Sequence, residues 1–491
     1  APDKAYGTKN DYKQFIDECH KQGIAVIQDL VLNHSYGSSP LVRMYFANGK
    51  PTVQNPWYNV TSNIQNTSLQ FGYDFNHDSP YTRKLVDSIA SYWMSEYKID
   101  GFRYDFTKGF SNTPYANRSD SDYWASSFDT ARIFNLKRMS SEVWKRKPNA
   151  YMIFEHLTNN TEETTLANYG DILWGNMNHA YNEATMGYNS DSKLSEISYK
   201  NKGWGYPNRM GYMESHDEER LMYKNITYGN SAGTYNIKDT LTALQRMELA
   251  STFFYTVPGP KMLWEFGELG YDISINQGGR LSDKAPKWEY YANPNRKHLY
   301  DITAALIKLR LQEPVFSTTN FMIRDSGNIK TIQLNLGDSS VFIMGNFDVN
   351  SLDYTFTFPS AGTWYEFFTG NTLNLASTLT TLTLKPGEYR MYSNVKLQGT
   401  PPAPLTGTVV LTNDNSTSFR IFPNPFSSQI NIESQEGIQG IDICTIQGSL
   451  IKKVKETDIS CVNTSDIQPG FYLLVANLKN GGKIVKKIVK Y

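Results

Sequence analysis

Ile24-Ala25-Val26-Ile27-Gln28-Asp29-Leu30-Val31-Leu32-Asn33-His34 is an apolar run that ends in polar, hydrogen-bonding side chains. A short apolar run of this length bounded by a turn residue reads as a strand buried on both faces. Gly23 punctuates it, and Asp11–Gln22 before it carries the spacing of an amphipathic helix. The same alternation recurs downstream. Lys84–Tyr97 reads as a helix and Ile99–Asp105 as the strand after it, then Phe128–Trp144 and Tyr151–His156 repeat the theme. Shorter strand candidates follow at Asp171–Gly175, Gly211–Ser215 and Lys261–Phe266, and Lys297–Arg310 closes the series as a long helix. Strands alternating with helices imply βα units around a parallel sheet, and a TIM (β/α)8-type barrel is the natural closure. Such a barrel needs about eight strands, whereas six are read here. The expectation is an α/β barrel missing about its first two strands, with the chain beginning inside the barrel.

Around residue 315 the texture changes. Alternating strands without helices, such as Thr331–Asn335 and Ser340–Met344, predict an antiparallel β-sandwich over 315–397. A linker with Pro401, Pro402 and Pro404 is expected over 398–414, and a small C-terminal β-sandwich over 415–491. The barrel domain is assigned to 1–314, with a short excursion at 35–80. The opening Ala1-Pro2-Asp3-Lys4 lacks the charged and apolar regions of a signal peptide.

Composition narrows the function. The 491 residues carry 48 basic and 48 acidic side chains, so no basic face is expected to attract nucleic acid. No run of about 18 apolar residues exists, which argues against a transmembrane helix. Three cysteines, Cys19, Cys444 and Cys461, are too few for a disulfide scaffold and leave room for one Cys444–Cys461 bridge. No Cys or His pair has zinc-ligand spacing. The 33 Tyr, 25 Phe and 9 Trp are abundant flat rings. Most such rings fill cores, but a flat ring can also stack on the apolar face of a ligand. Trp57, Tyr58, Tyr73, Trp174, Trp204 and Tyr206 are placed in loops near the barrel mouth, where one or two are expected to stack on such a face.

In a parallel barrel the C-terminal strand ends share one mouth. Five of them carry reactive side chains: Asp29–His34, Asp100–Asp105 with Lys108, Glu155-His156, Glu214–Asp217, and Pro258–Pro260 leading to Gly267-Glu268. Singly each has an ordinary structural reading, as a helix cap, a core histidine or an ion pair. Together, three carboxylates and two histidines converging on one cavity would be costly to bury without purpose. Paired carboxylates suit glycoside chemistry, in which one is an ionised nucleophile and the other a protonated acid. Arg103 lies on the same strand face as Asp105 and would hold it ionised. Glu155 sits between Phe154 and Leu157, where desolvation raises a carboxyl toward the acid's range. A third carboxylate, Asp217, would oppose positive charge growing on the ring. His34 and His216 reach far enough to hydrogen-bond sugar hydroxyls.

These motifs resemble glycoside hydrolase family 13, the α-amylase family, over about residues 5–397. Asp29–His34 is similar to its first conserved region, Gly101–Lys108 to its second, Glu155 with its flanks to its third, and His216-Asp217 to its fourth. The resemblance implies Asp105 as nucleophile, Glu155 as general acid/base and Asp217 as transition-state stabiliser. It carries over Arg103, His34, His216 and Lys108 as substrate and orientation residues, and α-glucan as substrate. Tyr6-Gly7-Thr8 is similar to the segment after the family's second strand, which accounts for the count of six. Gly109 departs from the pattern, since many members have His there. Asn33 and Asp74 stand at positions that touch calcium in relatives, so a Ca²⁺ ion is implied as the one cofactor.

Phe422-Pro423-Asn424-Pro425-Phe426, Pro469–Leu474 and a final Lys-rich strand form a second coherent set. Residues 415–491 resemble the sorting domain of the type IX secretion system of Gram-negative bacteria. That implies secretion machinery as a partner and an exported or outer-membrane-attached protein. A carbohydrate-binding module is the rival reading, but the unit has no Trp and only Tyr472 and Tyr491. The reaction expected is retaining hydrolysis of α-1,4-glucan. Transfer to another sugar, as in a branching enzyme, uses the same residues, and a silent surface glucan binder is the third option.

Overall fold

The computed structural model describes residues 4–113, 123–399, 401–402, 419–434, 437–445, 449–456, 459–479 and 483–491. The chain's first three residues and most of the expected proline linker lie outside these. The chain forms two compact units, 1–402 and 403–491.

The first unit is built on βα alternation. Helix α1 (Lys9–Lys21) starts at Thr8, whose side chain and that of Asp11 cap each other's backbone N–H groups. It leads to β1 (Ile27–Leu30). Helix α2 (Pro80–Tyr97) is capped by Ser79, begins on proline and ends at Lys98 in the left-handed region, which turns the chain into β2 (Gly101–Tyr104). Helix α3 (Thr130–Arg146) and β3 (Tyr151–Phe154), then α4 (Asn160–Ala167) and β4 (Ile172–Asn176), follow. Helix α5 (Asn178–Met186), β5 (Arg209–Tyr212), α6 (Leu221–Tyr228), α7 (Thr240–Tyr255), β6 (Lys261–Met262) and α8 (Pro294–Gln312) complete the series.

All six strands pair in parallel, in chain order β1-β2-β3-β4-β5-β6. One face of the sheet packs Ile153, Trp174 and Tyr212 together, and the other buries Leu173, Phe102 and Phe154 against the helices. The excursion after β1 holds short strand pairs, one helical turn at Pro40–Arg43 and a 3₁₀ turn at Thr67–Leu69 around a small core of Val42, Tyr58 and Phe75.

The sandwich has a six-stranded and a two-stranded sheet enclosing Phe342, Phe358 and Trp364. Its other face meets the helices: a Cβ on Gly345 would lie 2.5 Å from Leu249. The fully buried Arg246 of α7 donates to Ala184 O at 2.6 Å and to Phe347 O at 2.7 Å, so one guanidinium ties barrel to sandwich. The second unit stacks a three-stranded on a four-stranded antiparallel sheet around Ile430, Ile441 and Leu474. Cys444 and Cys461 are both free there and lie in different sheets, which corrects the bridge considered from sequence. Among the described residues no helix is long and apolar enough to cross a membrane.

Candidate active site

The strand ends converge as parallel pairing requires. Tyr104 of β2 stands beside Phe154 of β3, so the next residues, Asp105 and Glu155, leave the sheet side by side. Their backbones extend the ladder: Asp105 N donates to Leu30 O at 3.0 Å and Glu155 N to Tyr104 O at 3.1 Å. Beneath them lies Arg103, 7% exposed. Its Nη1 donates to both Asp29 oxygens at 2.8 and 3.0 Å and lies 3.2 Å from Asp105 Oδ1. Its Nη2 donates to Glu155 Oε2 at 2.5 Å. A single guanidinium therefore bridges the carboxyl groups of Asp105 and Glu155. Its face rests on the Trp174 ring, 4.3 Å from the centroid.

Burial pushes the Glu155 carboxyl up, to about 7. Arg103 and the Phe106 N–H at 3.2 Å pull it down, while the charges of Asp105 and Asp217 push the same way as burial. Such a group holds its proton near neutrality and can surrender it. His34 is lowered by burial, which the charge of Asp105 partly opposes.

These residues face one cavity of about 790 Å³, lined by His34, Asp105, Lys108, Glu155, His216 and Asp217. Asp217 arrives from beyond β5, with His216 Nε2 3.3 Å from its Oδ2 and Arg280 donating to its Oδ1 at 3.0 Å. Lys108 reaches the rim, where it donates to Trp124 O at 3.4 Å. The cavity also shows what sequence reading missed. Phe106 and Leu157 line it with φ of +46° and +52°. Non-glycine residues hold that conformation at a cost, and such turns gather at functional sites. No local sequence signal marks them.

The aromatic expectation needs correction. None of Trp57, Tyr58, Tyr73, Trp174, Trp204 or Tyr206 lines the cavity; Tyr36, Phe71 and Phe106 do. Trp174 lies within β4, packed on Tyr212 and His216, and Trp204 is 3% exposed in the core. Tyr58 stacks on Phe75 at 4.4 Å.

Asn33 and Asp74 sit outside the cavity lining, both buried. Asn33 Oδ1 is a buried oxygen with no hydrogen-bond partner among the described residues. Asp74 Oδ2 accepts from Asn59 Nδ2 at 2.9 Å and from Asn63 N and Nδ2, each at 3.2 Å. Among the described residues no three His, Cys, Asp or Glu side chains gather as metal ligands, so any cation here would rest on amide and main-chain oxygens with one carboxylate. An orphaned amide oxygen and a carboxylate are the oxygen donors a hard cation such as Ca²⁺ takes, although Asp74 Oδ2 already accepts from three N–H groups. The structure also accounts for Gly109: a Cβ there would lie 1.8 Å from Asn33 Oδ1, so any side chain would displace Asn33.

Residues 2–296 match the family model described as alpha amylase, catalytic domain, and residues 420–491 the one described as secretion system C-terminal sorting domain. Among curated proteins the chain is 23% identical over 367 residues to the 1,4-alpha-glucan branching enzyme of Vibrio cholerae, covering 71% of this chain and 48% of that protein. It is 22% identical over 368 residues to the cyclomaltodextrinase of a Bacillus species, covering 70% and 58%. The chain thus spans about half the length of the curated relatives it matches. Among solved structures, the alpha-amylase of Geobacillus thermoleovorans complexed with acarbose superposes with a TM-score of 0.59 at 17% identity, covering 80% of this chain and 82% of that one. Trehalose-6-phosphate hydrolase of Bacillus licheniformis gives 0.60 at 17%, covering 79% and 87%. At that identity the likeness shows the fold, the TIM-barrel architecture of amylases. With the family model matched across more than half its length, the chain belongs to the alpha-amylase family, glycoside hydrolase family 13, and ends in a type IX secretion sorting domain.

Proposed function

We propose that the protein is an exported α-glucan hydrolase that cleaves α-1,4 bonds of starch, glycogen or maltooligosaccharides with retention. The observation that carries this reading is the Arg103 bridge between Asp105 and a Glu155 that holds its proton near neutrality. One guanidinium spanning both carboxyl groups supports the close spacing a double displacement needs. Asp105 attacks the anomeric carbon while Glu155 gives its proton to the departing glycosidic oxygen. Glu155, now ionised, then takes a proton from water, whose oxygen displaces Asp105. Asp217 faces the same cavity and opposes the positive charge that builds on the ring. His34, His216 and Lys108 donate or accept hydrogen bonds at sugar hydroxyls.

The six parallel strands are read as the third to eighth of the barrel. Support comes from the order of the motifs and from β1 and β6, which each pair with only one neighbour among the described residues. Residues 1–314 form the catalytic part of this reading and 315–397 its sandwich. A calcium ion would be held by Asn33 Oδ1 and the Asp74 carboxylate, where it would order the wall behind His34. Added Ca²⁺ should raise the unfolding temperature and a chelator reverse it, with the effect lost in Asn33→Ala. The C-terminal sorting domain supports export to the medium or the cell surface.

Branching enzymes among the relatives support a second reading, in which a sugar hydroxyl replaces water. Soluble starch incubated with the full chain separates the two. New reducing ends that appear first as the α-anomer are the expected result. New branch points would assign transfer, and starch binding without bond cleavage would assign a silent glucan binder.

A further inference from the structure

A second cavity, of about 530 Å³, lies beside the first: Asp217 faces one and the next residue, Glu218, the other. Most of its charges are already matched. His179 pairs with Asp191 at 2.7 Å and Lys202 with Glu196 at 2.5 Å. Glu218 accepts from the Asn176 amide at 2.5 Å and from the Ser215 hydroxyl. Two cations remain. Lys193 is exposed, and among the described residues its ammonium forms no ion pair.

Arg209 is the more informative of the two. It is 7% exposed, and its Nε is buried without a hydrogen-bond partner among the described residues. Among the described residues its guanidinium forms neither a hydrogen bond nor an ion pair, although Glu163 and Glu196 act on it at longer range. Its nearest aromatic ring, Trp204, is 5.8 Å away. The side chain is held where it is by the backbone next to it. It comes from the helix-facing side of β5 and crosses β4 at Gly175, where a Cβ would lie 2.8 Å from Arg209 Cζ. A glycine in the neighbouring strand thus makes room for a planar, charged group that nothing among the described residues neutralises at contact distance. Burying a guanidinium without a partner is costly, and its fork of donors matches two oxygens of one anion.

We propose that this cavity binds an oxyanion, a phosphate or carboxylate group, held by the Arg209 fork and by Lys193. The site does not depend on the glycosidase reading, because it uses none of the residues that face the first cavity. Whether the anion is free or carried on a sugar is decided by comparing ligands.

The test titrates the full chain with inorganic phosphate and with acetate at fixed ionic strength, set by chloride. Heat of binding and thermal unfolding are both followed. Saturable binding of one phosphate per chain and a rise in unfolding temperature are expected, with at least about tenfold weaker binding in Arg209→Gln after loss of a charge-assisted bond pair. Lys193→Gln, at an exposed position, should fold normally and weaken binding by a smaller factor, so the proposal stays testable if Arg209→Gln is unstable. A hexose phosphate that binds more tightly than inorganic phosphate assigns a sugar-borne anion, and equal affinity assigns a free one. No saturable binding, or binding unchanged in both variants, overturns the proposal.

Discussion

Two arginine–glutamate pairs in this molecule, Arg132–Glu162 and Arg103–Glu155, do opposite things. Arg132 and Glu162 are fully buried: Nε and Nη2 of the arginine grip both carboxyl oxygens at 2.5 and 2.8 Å. The remaining donors reach the carbonyls of Lys108, Ala125 and Ser127, and His156 Nε2 lies 2.9 Å from Glu162 Oε1. Burial pushes Glu162 up, yet the bonds from His156 and Arg132 outweigh it and hold the carboxyl down at about 2. At Arg103 burial again pushes the carboxyl up, and one guanidinium divided among Asp29, Asp105 and Glu155 does not outweigh it, so Glu155 rises to about 7. A carboxylate with its own guanidinium is structure. A carboxylate that shares one with two other acids keeps a proton to give away.

The largest expected effect separates the pairs outright. Glu155→Gln should cut turnover of starch by about 10²–10⁴-fold, the usual worth of a general acid, and leave thermal unfolding nearly unchanged. Glu162→Gln should do the reverse. Breaking a buried pair costs about 3–5 kcal/mol, readable by urea unfolding, while turnover per folded molecule persists. If both variants lose stability equally, the distinction fails.

A pH profile sharpens the same contrast. As the proposed general acid, Glu155 would work in its protonated form, which is depleted as pH rises through about 7. The kcat should therefore fall above that point by about tenfold per unit, the slope of one proton. A profile flat to pH 9 would remove Glu155 from the acid's role.

The smallest effect tests what lies under the shared guanidinium. Trp174→Leu removes a cation–π contact of about 0.5–2 kcal/mol, so kcat should drop about two- to thirtyfold. Because Arg103 would be less firmly held, the alkaline limb of the profile should also move, with KM little changed. An unmoved limb would make Trp174 a packing residue only.

Much of this was open to reading in the chain itself, because parallel strands send successive C-terminal residues to one rim. His34, Asp105, Lys108, Glu155, His216 and Asp217 stand at or just past strand ends and line one cavity. The long helices with one apolar face, α1, α2, α3 and α8, were also legible. Helix α7 was not, since twelve of its sixteen residues are buried and no polar face interrupts the pattern. The share that Asp29 takes of Arg103 depends on register, Asp29 opposite Arg103, which no local pattern encodes. Trp174 misled for a related reason. Alternation along a four- or five-residue strand is too short to tell a ring beneath the site from one in a loop above it.

The most direct test of the account is to trap the glycosyl-enzyme. The full chain would be incubated with a slowly turned-over α-glucosyl fluoride analogue, digested, and mapped by mass spectrometry. The account predicts one added sugar on the peptide that contains Asp105, and none in Asp105→Asn. Turnover that forms no adduct and releases the β-anomer, or a sugar attached to any other residue, would contradict it.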